Sequence, residues 1–118
     1  MFVEAKVILA KCKSTQRLYG IRIQHGQGNK WLMTWAFPID ENRAKNEGFD
    51  REKLKVDCYQ DEEFNGCPDC GSKGFVICGH CKKITCYSGE KEVRCAWCGN
   101  MMSDIAYRGA VDLTAGDD

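Results

Sequence analysis

The chain has 118 residues with 17 Lys and Arg, 17 Asp and Glu and nine Cys, so its formal net charge at pH 7 is zero. This length fits one compact domain or two small lobes, and no run approaches the roughly 18 apolar residues of a membrane-spanning helix. Residues 1–60 carry 11 basic against 7 acidic side chains, whereas residues 61–118 carry 6 against 10, which disfavours generic phosphate binding by the second half.

Alternating and aromatic-rich runs predict β-strands in the first half of the chain. Residues 19–24 alternate apolar with polar side chains, and the turn-forming residues 25–29 follow them. The aromatic-rich residues 31–37 then complete a predicted β-hairpin over about residues 19–37. Strand alternation would place three large side chains on one face of this hairpin: Trp31, Met33 and Trp35.

The rest of the pattern predicts a short helix, a metal-binding region and a tail. Asp40 is a suitable N-cap for a polar helix through residues 41–47, which Gly48 would end. We therefore expect a small β-rich, metal-stabilised domain, in which a β-hairpin lobe with one short helix packs on a double zinc-ribbon-like lobe. The expected boundaries are residues 1–60 for the hairpin lobe, 61–102 for the ribbon lobe and 103–118 for a C-terminal tail with a frayed end.

The cysteine spacing is typical of a metal site. Seven of the nine Cys lie between Cys67 and Cys98, and six of them form Cys-x-x-Cys pairs, in which two thiolates reach one ion from a tight turn. The pairs are Cys67/Cys70, Cys78/Cys81 and Cys95/Cys98. The amino terminus has no basic segment followed by a long apolar run, so we expect a cytoplasmic protein whose cysteines bind metal instead of forming disulfides.

Two zinc ions in closed sites need eight ligands, one more than the cluster supplies. The candidates for the eighth are Cys12, Cys58 and His80, and Cys12, at the end of the first predicted strand, is preferred. The predicted metal ligands are therefore Cys12, Cys67, Cys70, Cys78, Cys81, Cys86, Cys95 and Cys98. The preferred pairing joins the two glycine-followed turns, Cys67/Cys70 with Cys95/Cys98, and leaves Cys78/Cys81 with Cys86 and Cys12. A sequential pairing of Cys67/Cys70 with Cys78/Cys81 is also feasible.

Two other functions deserve comparison with a structural metal site. Cys78-Gly79-His80-Cys81 has the spacing of a thiol-disulfide dithiol, but a thioredoxin-type fold needs a proline farther along, and Pro38 and Pro68 both precede it. Single-stranded nucleic acid could stack on the aromatics of the first half, Tyr19, Trp31, Trp35 and Phe37, interleaved with Arg17, Arg22 and Lys30. We favour the interpretation that these aromatics form core. All-cysteine shells without a water site also favour a protein that is not an enzyme.

The ordered series of motifs resembles one known family. The residues that carry the resemblance are 11–12, 19–23, 34–39, 44–50, 66–75, 78–86 and 93–99, within a match over about residues 10–100. They are similar to the TerY-C metal-binding domain, which follows von Willebrand factor A domains in bacterial tellurite-resistance and chemical-stress proteins. The resemblance implies a metal-binding accessory module that contacts a protein partner such as a von Willebrand factor A domain protein, and it favours Cys12 as the extra ligand.

Overall fold

The computed structural model describes residues 5–28, 30–40, 42, 52–103 and 111–117. These residues form nine β-strands: β1 (Ala5–Lys11), β2 (Leu18–His25), β3 (Lys30–Pro38), β4 (Glu52–Gln60), β5 (Gly74–Ile77), β6 (Ile84–Tyr87), β7 (Val93–Arg94), β8 (Met101–Met102) and β9 (Val111–Asp117). The helix predicted over residues 41–47 lies, apart from residue 42, outside the described residues. Within the described ranges, no helix has the length and apolar composition needed to cross a bilayer.

Five of the strands close into a small barrel. Strand β1 pairs antiparallel with β2, β2 with β3, β4 with β9 and β9 with β1, while β3 and β4 pair in parallel. A closed ring of strands leaves few unpaired edges, which is how small β-proteins avoid edge-to-edge association. The expected frayed tail is wrong, because residues 111–117 form the strand that closes this barrel between β4 and β1.

The barrel interior is filled by the inward side chains of β1, β2 and β3. Ile8, Ile21 and Ile23 are fully or almost fully buried there, together with Trp31 and Met33. This period-two burial explains why β-branched and aromatic residues dominate these strands. The same burial means that the predicted hairpin over about residues 19–37 packs Tyr19 and Trp31 into the core, as the core interpretation expected for these two aromatics.

A β-bulge in strand β3 changes which aromatic faces solvent. Arg22 pairs with Trp35 and Ile23 pairs with Met33, so Thr34, between the two β3 positions, has no register partner in β2. The alternation of inward and outward side chains along β3 therefore shifts by one residue. Trp35 consequently points outward and is 55% exposed, whereas Ala36 is buried. The prediction that Trp35 shares a face with Trp31 and Met33 is therefore wrong, because alternation alone contains no signal for a bulge.

The ribbon lies in the chain between barrel strands β4 and β9. Strands β5 and β6 form an antiparallel hairpin, and β7 pairs with β8 in a second, shorter one. Strand β6 also pairs in parallel with the end of β1, through Ala10 with Ile84 and Lys11 with Thr85. Strand β1 is thus shared by the barrel and the ribbon, and this shared strand places the two halves of the chain next to each other.

The segment between β4 and the ribbon is fixed against the barrel by one side chain. The Asn65 side-chain amide donates to the Ala36 carbonyl and its oxygen accepts from the Ala36 N–H, both at 2.8 Å. The neighbouring Phe64 is buried in the same cluster as the barrel core. These contacts position the chain for the cysteine turn that begins at Cys67.

Candidate metal centre

The described cysteines gather into two groups of four thiols. Within each group the sulfur atoms all lie within 4.8 Å of one another. We call them site 1, formed by Cys12, Cys67, Cys70 and Cys86, and site 2, formed by Cys78, Cys81, Cys95 and Cys98. All eight residues predicted as ligands fall in these groups, and neither group includes Cys58 or His80. That each of the eight binds a metal ion stays a prediction.

The preferred pairing of the cysteines is wrong, and so is the sequential one. In the β5–β6 hairpin Phe75 pairs with Cys86, so Cys86 lies at the open end, while Cys78 and Cys81 form the turn at the other end. Strands rise about 3.3 Å per residue, which separates the two ends by about 10 Å. Cys86 therefore joins Cys12, whose strand runs beside β6, and the Cys78/Cys81 turn meets the Cys95/Cys98 turn. These registers arise from long-range strand pairing, which cysteine spacing does not encode.

The three Cys-x-x-Cys turns share one backbone geometry. In each turn the N–H of the first Cys donates to the carbonyl of the residue five positions later, as Cys67 does to Ser72. The carbonyl of the first Cys in turn accepts from the N–H of the residue four positions later, as Cys67 does from Gly71. All six of these distances are 2.8 to 3.0 Å. The residue after the second Cys has a positive φ in all three turns: Gly71 at 77°, Lys82 at 64° and Gly99 at 79°. Two of these positions are glycines, which adopt a left-handed backbone without strain, and Lys82 adopts the same conformation with a side chain. We call such a turn a knuckle.

The sulfur separations fit a tetrahedral ion. Four sulfurs bonded to one zinc ion at about 2.3 Å lie about 3.8 Å from each other. Sγ of Cys70 is 3.6 Å from Sγ of Cys86 in site 1. In site 2, Sγ of Cys78 is 3.7 Å from that of Cys98, and Sγ of Cys81 is 3.6 Å from that of Cys95. Both donor sets therefore have the composition and size of a closed four-thiolate site.

The electrostatics of site 1 also favour a bound cation. Burial raises the pKa of Cys67 to about 11 and also raises that of Cys86, where the neighbouring Cys70 adds to the effect. Burial opposes ionisation of Cys70 as well, but hydrogen bonds from the Ser72 hydroxyl and N–H lower its pKa to about 7. Four adjacent thiols cannot all ionise unless a positive ion compensates them, so binding of a metal and release of protons go together.

The same balance of burial and hydrogen bonding operates in site 2. Burial raises the pKa of Cys81 to about 12, whereas N–H groups of Trp97 and Cys98 outweigh burial and lower the pKa of Cys95 to about 7. The N–H of Trp97 lies 3.4 Å from the Cys95 sulfur, and the N–H of His80 lies 3.4 Å from that of Cys78. These donors stabilise thiolates before any ion arrives.

An ion pair ties the β1–β2 loop to the ribbon beside site 1. The Lys13 ammonium contacts both Glu90 carboxylate oxygens, at 2.7 and 2.8 Å, and the Ser88 hydroxyl at 2.8 Å. Hydrogen bonds from Lys13 and Ser88 lower the pKa of Glu90 to about 2. The backbone N–H of Lys13 also donates to the Cys86 sulfur at 3.3 Å. Lys13 thus links the barrel both to a thiol of site 1 and to the adjacent ribbon turn.

Trp97 ties site 2 to the strand shared with the barrel. Its indole N–H donates to the Ile84 carbonyl at 2.7 Å, and the ammonium groups of Lys11 and Lys83 lie 4.5 and 4.3 Å from the ring centre. The sequence analysis missed this role of Trp97 and that of Glu90. The position of Trp97 between Cys95 and Cys98 was a sequence signal for its role. No local sequence pattern indicates that Lys13 pairs with Glu90, because the two residues are far apart in the chain.

The geometry does not support the two alternative sites. Tyr19 and Trp31 are buried in the core, so the predicted aromatic platform is not formed; of its four aromatics, Trp35 is the strongly exposed one. The Cys78/Cys81 pair lies in a four-thiol cluster and is followed by strand β6. A thioredoxin-type dithiol would instead begin a long helix.

Comparison with known proteins agrees with this geometry. The family model described as TerY-C metal binding domain matches residues 3–116, almost the whole chain. A search of curated proteins found no match, and a search of solved structures found none. With a family match of this extent and two clusters of four cysteines, the chain belongs to the TerY-C metal-binding domain family.

Proposed function

We propose that the protein is a non-catalytic module whose two four-cysteine sites each hold one structural zinc ion. The observation that carries this proposal is the pair of thiol clusters with sulfur separations of 3.6 to 3.7 Å. Zinc is favoured because it has no redox chemistry and accepts a tetrahedral shell of four thiolates, the donor set that both clusters offer. Closed shells of this kind leave no position for a catalytic water.

Metal analysis tests this part of the proposal directly. Protein purified under reducing conditions without chelator is expected to contain two zinc ions per chain by inductively coupled plasma mass spectrometry. A single zinc ion, or iron in place of zinc, would contradict the assignment.

We further propose that the module acts by binding a protein partner in the cytoplasm, as part of a bacterial stress-response system of the tellurite-resistance kind. The family resemblance suggests a von Willebrand factor A domain protein as that partner. The observation that supports a partner is an outer apolar face formed by Leu32, Trp35 and Tyr59, which are 37, 55 and 40% exposed. Leu32 and Tyr59 are direct neighbours across β3 and β4. Large apolar side chains left exposed on neighbouring strands are typical of interaction surfaces.

The basic groups around the outer apolar face favour a partner with acidic side chains at its rim. Arg22 is the register neighbour of Trp35, and the Lys30 ammonium lies 5.7 Å from the Tyr59 ring centre. We expect the apolar contact to dominate the affinity, with the charges affecting the association rate.

Titration calorimetry with a purified von Willebrand factor A domain protein tests the interaction. Trp35→Ser should weaken binding at least about tenfold, as expected for loss of a central aromatic. Met101→Ser is the matched control, since Met101 is also exposed but lies in the ribbon strand β8. Equal affinity of both variants and the parent would reject the outer apolar face, and the zinc assignment would be unaffected.

A further inference from the structure

The loop that follows strand β1 has the backbone geometry of the three knuckles. The Cys12 N–H donates to the Arg17 carbonyl at 3.0 Å, and the Gln16 N–H donates to the Cys12 carbonyl at 2.8 Å. Gln16 has a φ of 62°, the left-handed value found after the second Cys of every knuckle. A left-handed backbone is uncommon for a residue with a side chain. Its presence at Gln16, the position equivalent to the one after the second Cys of a knuckle, therefore indicates the same type of turn.

The sulfur of Cys12 also accepts the same backbone hydrogen bond as the first sulfur of a knuckle. The Ser14 N–H lies 3.4 Å from it, the same distance and the same two-residue offset as His80 to Cys78 and Trp97 to Cys95. In a knuckle the second ligand comes three residues after the first, and in this loop that position is Thr15. Residues 12–17 therefore match a knuckle at every point except the identity of the second ligand.

The Thr15 hydroxyl makes the hydrogen bond that a second knuckle sulfur makes. It accepts from the Arg17 N–H at 3.2 Å. The second sulfurs of the knuckles accept in the same way from the N–H two residues later, Cys70 from Ser72, Cys81 from Lys83 and Cys98 from Asn100. The Thr15 hydroxyl also donates to Asp69, inside the Cys67 knuckle. The two loops thus contact each other, as the two knuckles of site 2 do.

We propose that residues 12–17 are a fourth metal-binding knuckle whose second ligand position is held by Thr15, and that a thiol at this position can replace Cys86 as a ligand of site 1. Of the eight clustered cysteines, Cys86 is the one that comes from a strand and not from a knuckle-type turn. The Lys13 N–H, within the same loop, donates to its sulfur at 3.3 Å. In the exchange, the new thiol would lose its proton to bind the zinc ion, and the displaced Cys86 thiolate would take up a proton.

The proposal rests on the proposed function, because it assumes that site 1 holds zinc. The full chain is therefore compared in five forms by zinc analysis: the parent, Cys86→Ser, C86S/T15C, C86S/S14C and Thr15→Cys alone. Two zinc ions in the parent and one in Cys86→Ser would support site 1 itself. We expect two in C86S/T15C and one in C86S/S14C, because Ser14 is exposed like Thr15 but lies one position away from the second-ligand position. One zinc ion in C86S/T15C would overturn the fourth knuckle without affecting the zinc assignment.

A second measurement avoids reliance on variants that lack Cys86. In zinc-loaded Thr15→Cys and Ser14→Cys proteins, alkylation by iodoacetamide is followed by mass spectrometry. If position 15 is a ligand position, its thiol is protected relative to the thiol introduced at position 14, and Cys86 becomes reactive in the first variant alone. Equal reactivity of the two introduced thiols, with Cys86 protected in both proteins, would refute the proposal.

Discussion

Replacing Cys12 should damage the whole molecule, whereas replacing a cysteine of site 2 should damage only the ribbon. Cys12 directly follows the shared strand β1 and is fully buried, in one cluster with the core residues Tyr19 and Ile84. Cys98 is exposed, and its site packs in a separate cluster with Val93. Cys12→Ser and Cys98→Ser each remove one sulfur from a four-cysteine site, so each substitution serves as a control for the other.

The expected magnitude follows from the binding free energy of a structural zinc ion. At about 10 to 16 kcal/mol for four ligands, one thiolate contributes about 2.5 to 4 kcal/mol. A domain of this kind has a total stability of about 5 to 15 kcal/mol, so loss of one ligand removes a substantial fraction. A loss of about 3 kcal/mol accelerates hydrogen exchange through global opening by a factor above about 100.

Hydrogen–deuterium exchange with zinc analysis measures this difference. In Cys12→Ser we expect one zinc ion and faster exchange in β1 (Ala5–Lys11) and β2 (Leu18–His25) as well as in the ribbon. In Cys98→Ser we expect one zinc ion and faster exchange confined to about residues 78–102. The reasoning is refuted if Cys12→Ser loses a zinc ion while exchange in β1 and β2 stays at the parent rate.

Three further substitutions test individual contacts by denaturant unfolding and zinc analysis. Gly66→Ala should lower the free energy of unfolding by at least about 2 kcal/mol and disturb site 1, because Gly66 has a φ of 77° and an added Cβ would lie 2.7 Å from the Gly71 carbonyl oxygen. Gly71→Ala is the control, since Gly71 has the same φ but open space around it. This substitution should lower the free energy of unfolding by about 1 kcal/mol and keep both zinc ions. Trp97→Phe should cost about 1 to 2 kcal/mol through the lost N–H donor and weaker cation–π contacts, with the zinc content unchanged. Glu90→Gln should lower the free energy of unfolding by up to about 1 kcal/mol at pH 7, because Lys13 stabilises the ionised carboxylate and lowers its pKa. This effect should shrink in high salt, which screens the ion pair. A Gly66→Ala protein as stable as Gly71→Ala, a Trp97→Phe protein that loses zinc, or a salt-independent effect at Glu90 would contradict the corresponding contact.

Cysteine spacing predicted which thiols gather, but not how they divide. Each Cys-x-x-Cys pair is a local turn, so its two sulfurs are near each other in any fold. Cys86 and Cys12 instead reach site 1 through the parallel pairing of β1 with β6, between residues more than 70 positions apart in the chain. Register between distant strands depends on the packing of the whole core, and a single sequence gives no direct signal for it.

The errors in the fold have the same physical origin. The exposed position of Trp35 depends on a bulge, which is one extra residue in an otherwise regular alternation. Strand β9 has only a weak pattern in the sequence, which predicts a tail, yet pairing on both sides places it in the barrel. The fourth knuckle is invisible to a search for cysteine pairs, since Thr15 stands where the second cysteine would be.

The most direct test of the account is removal of both metal ions under reducing conditions, followed residue by residue in ¹H–¹⁵N correlation spectra. In the proposed function, four-thiolate zinc sites maintain the ribbon and its attachment to the barrel. Titration with a strong zinc chelator should therefore abolish the dispersed signals of residues 64–102 as zinc leaves, and readdition of zinc should restore them. A chain that releases both ions and keeps its spectrum unchanged would contradict the central claim.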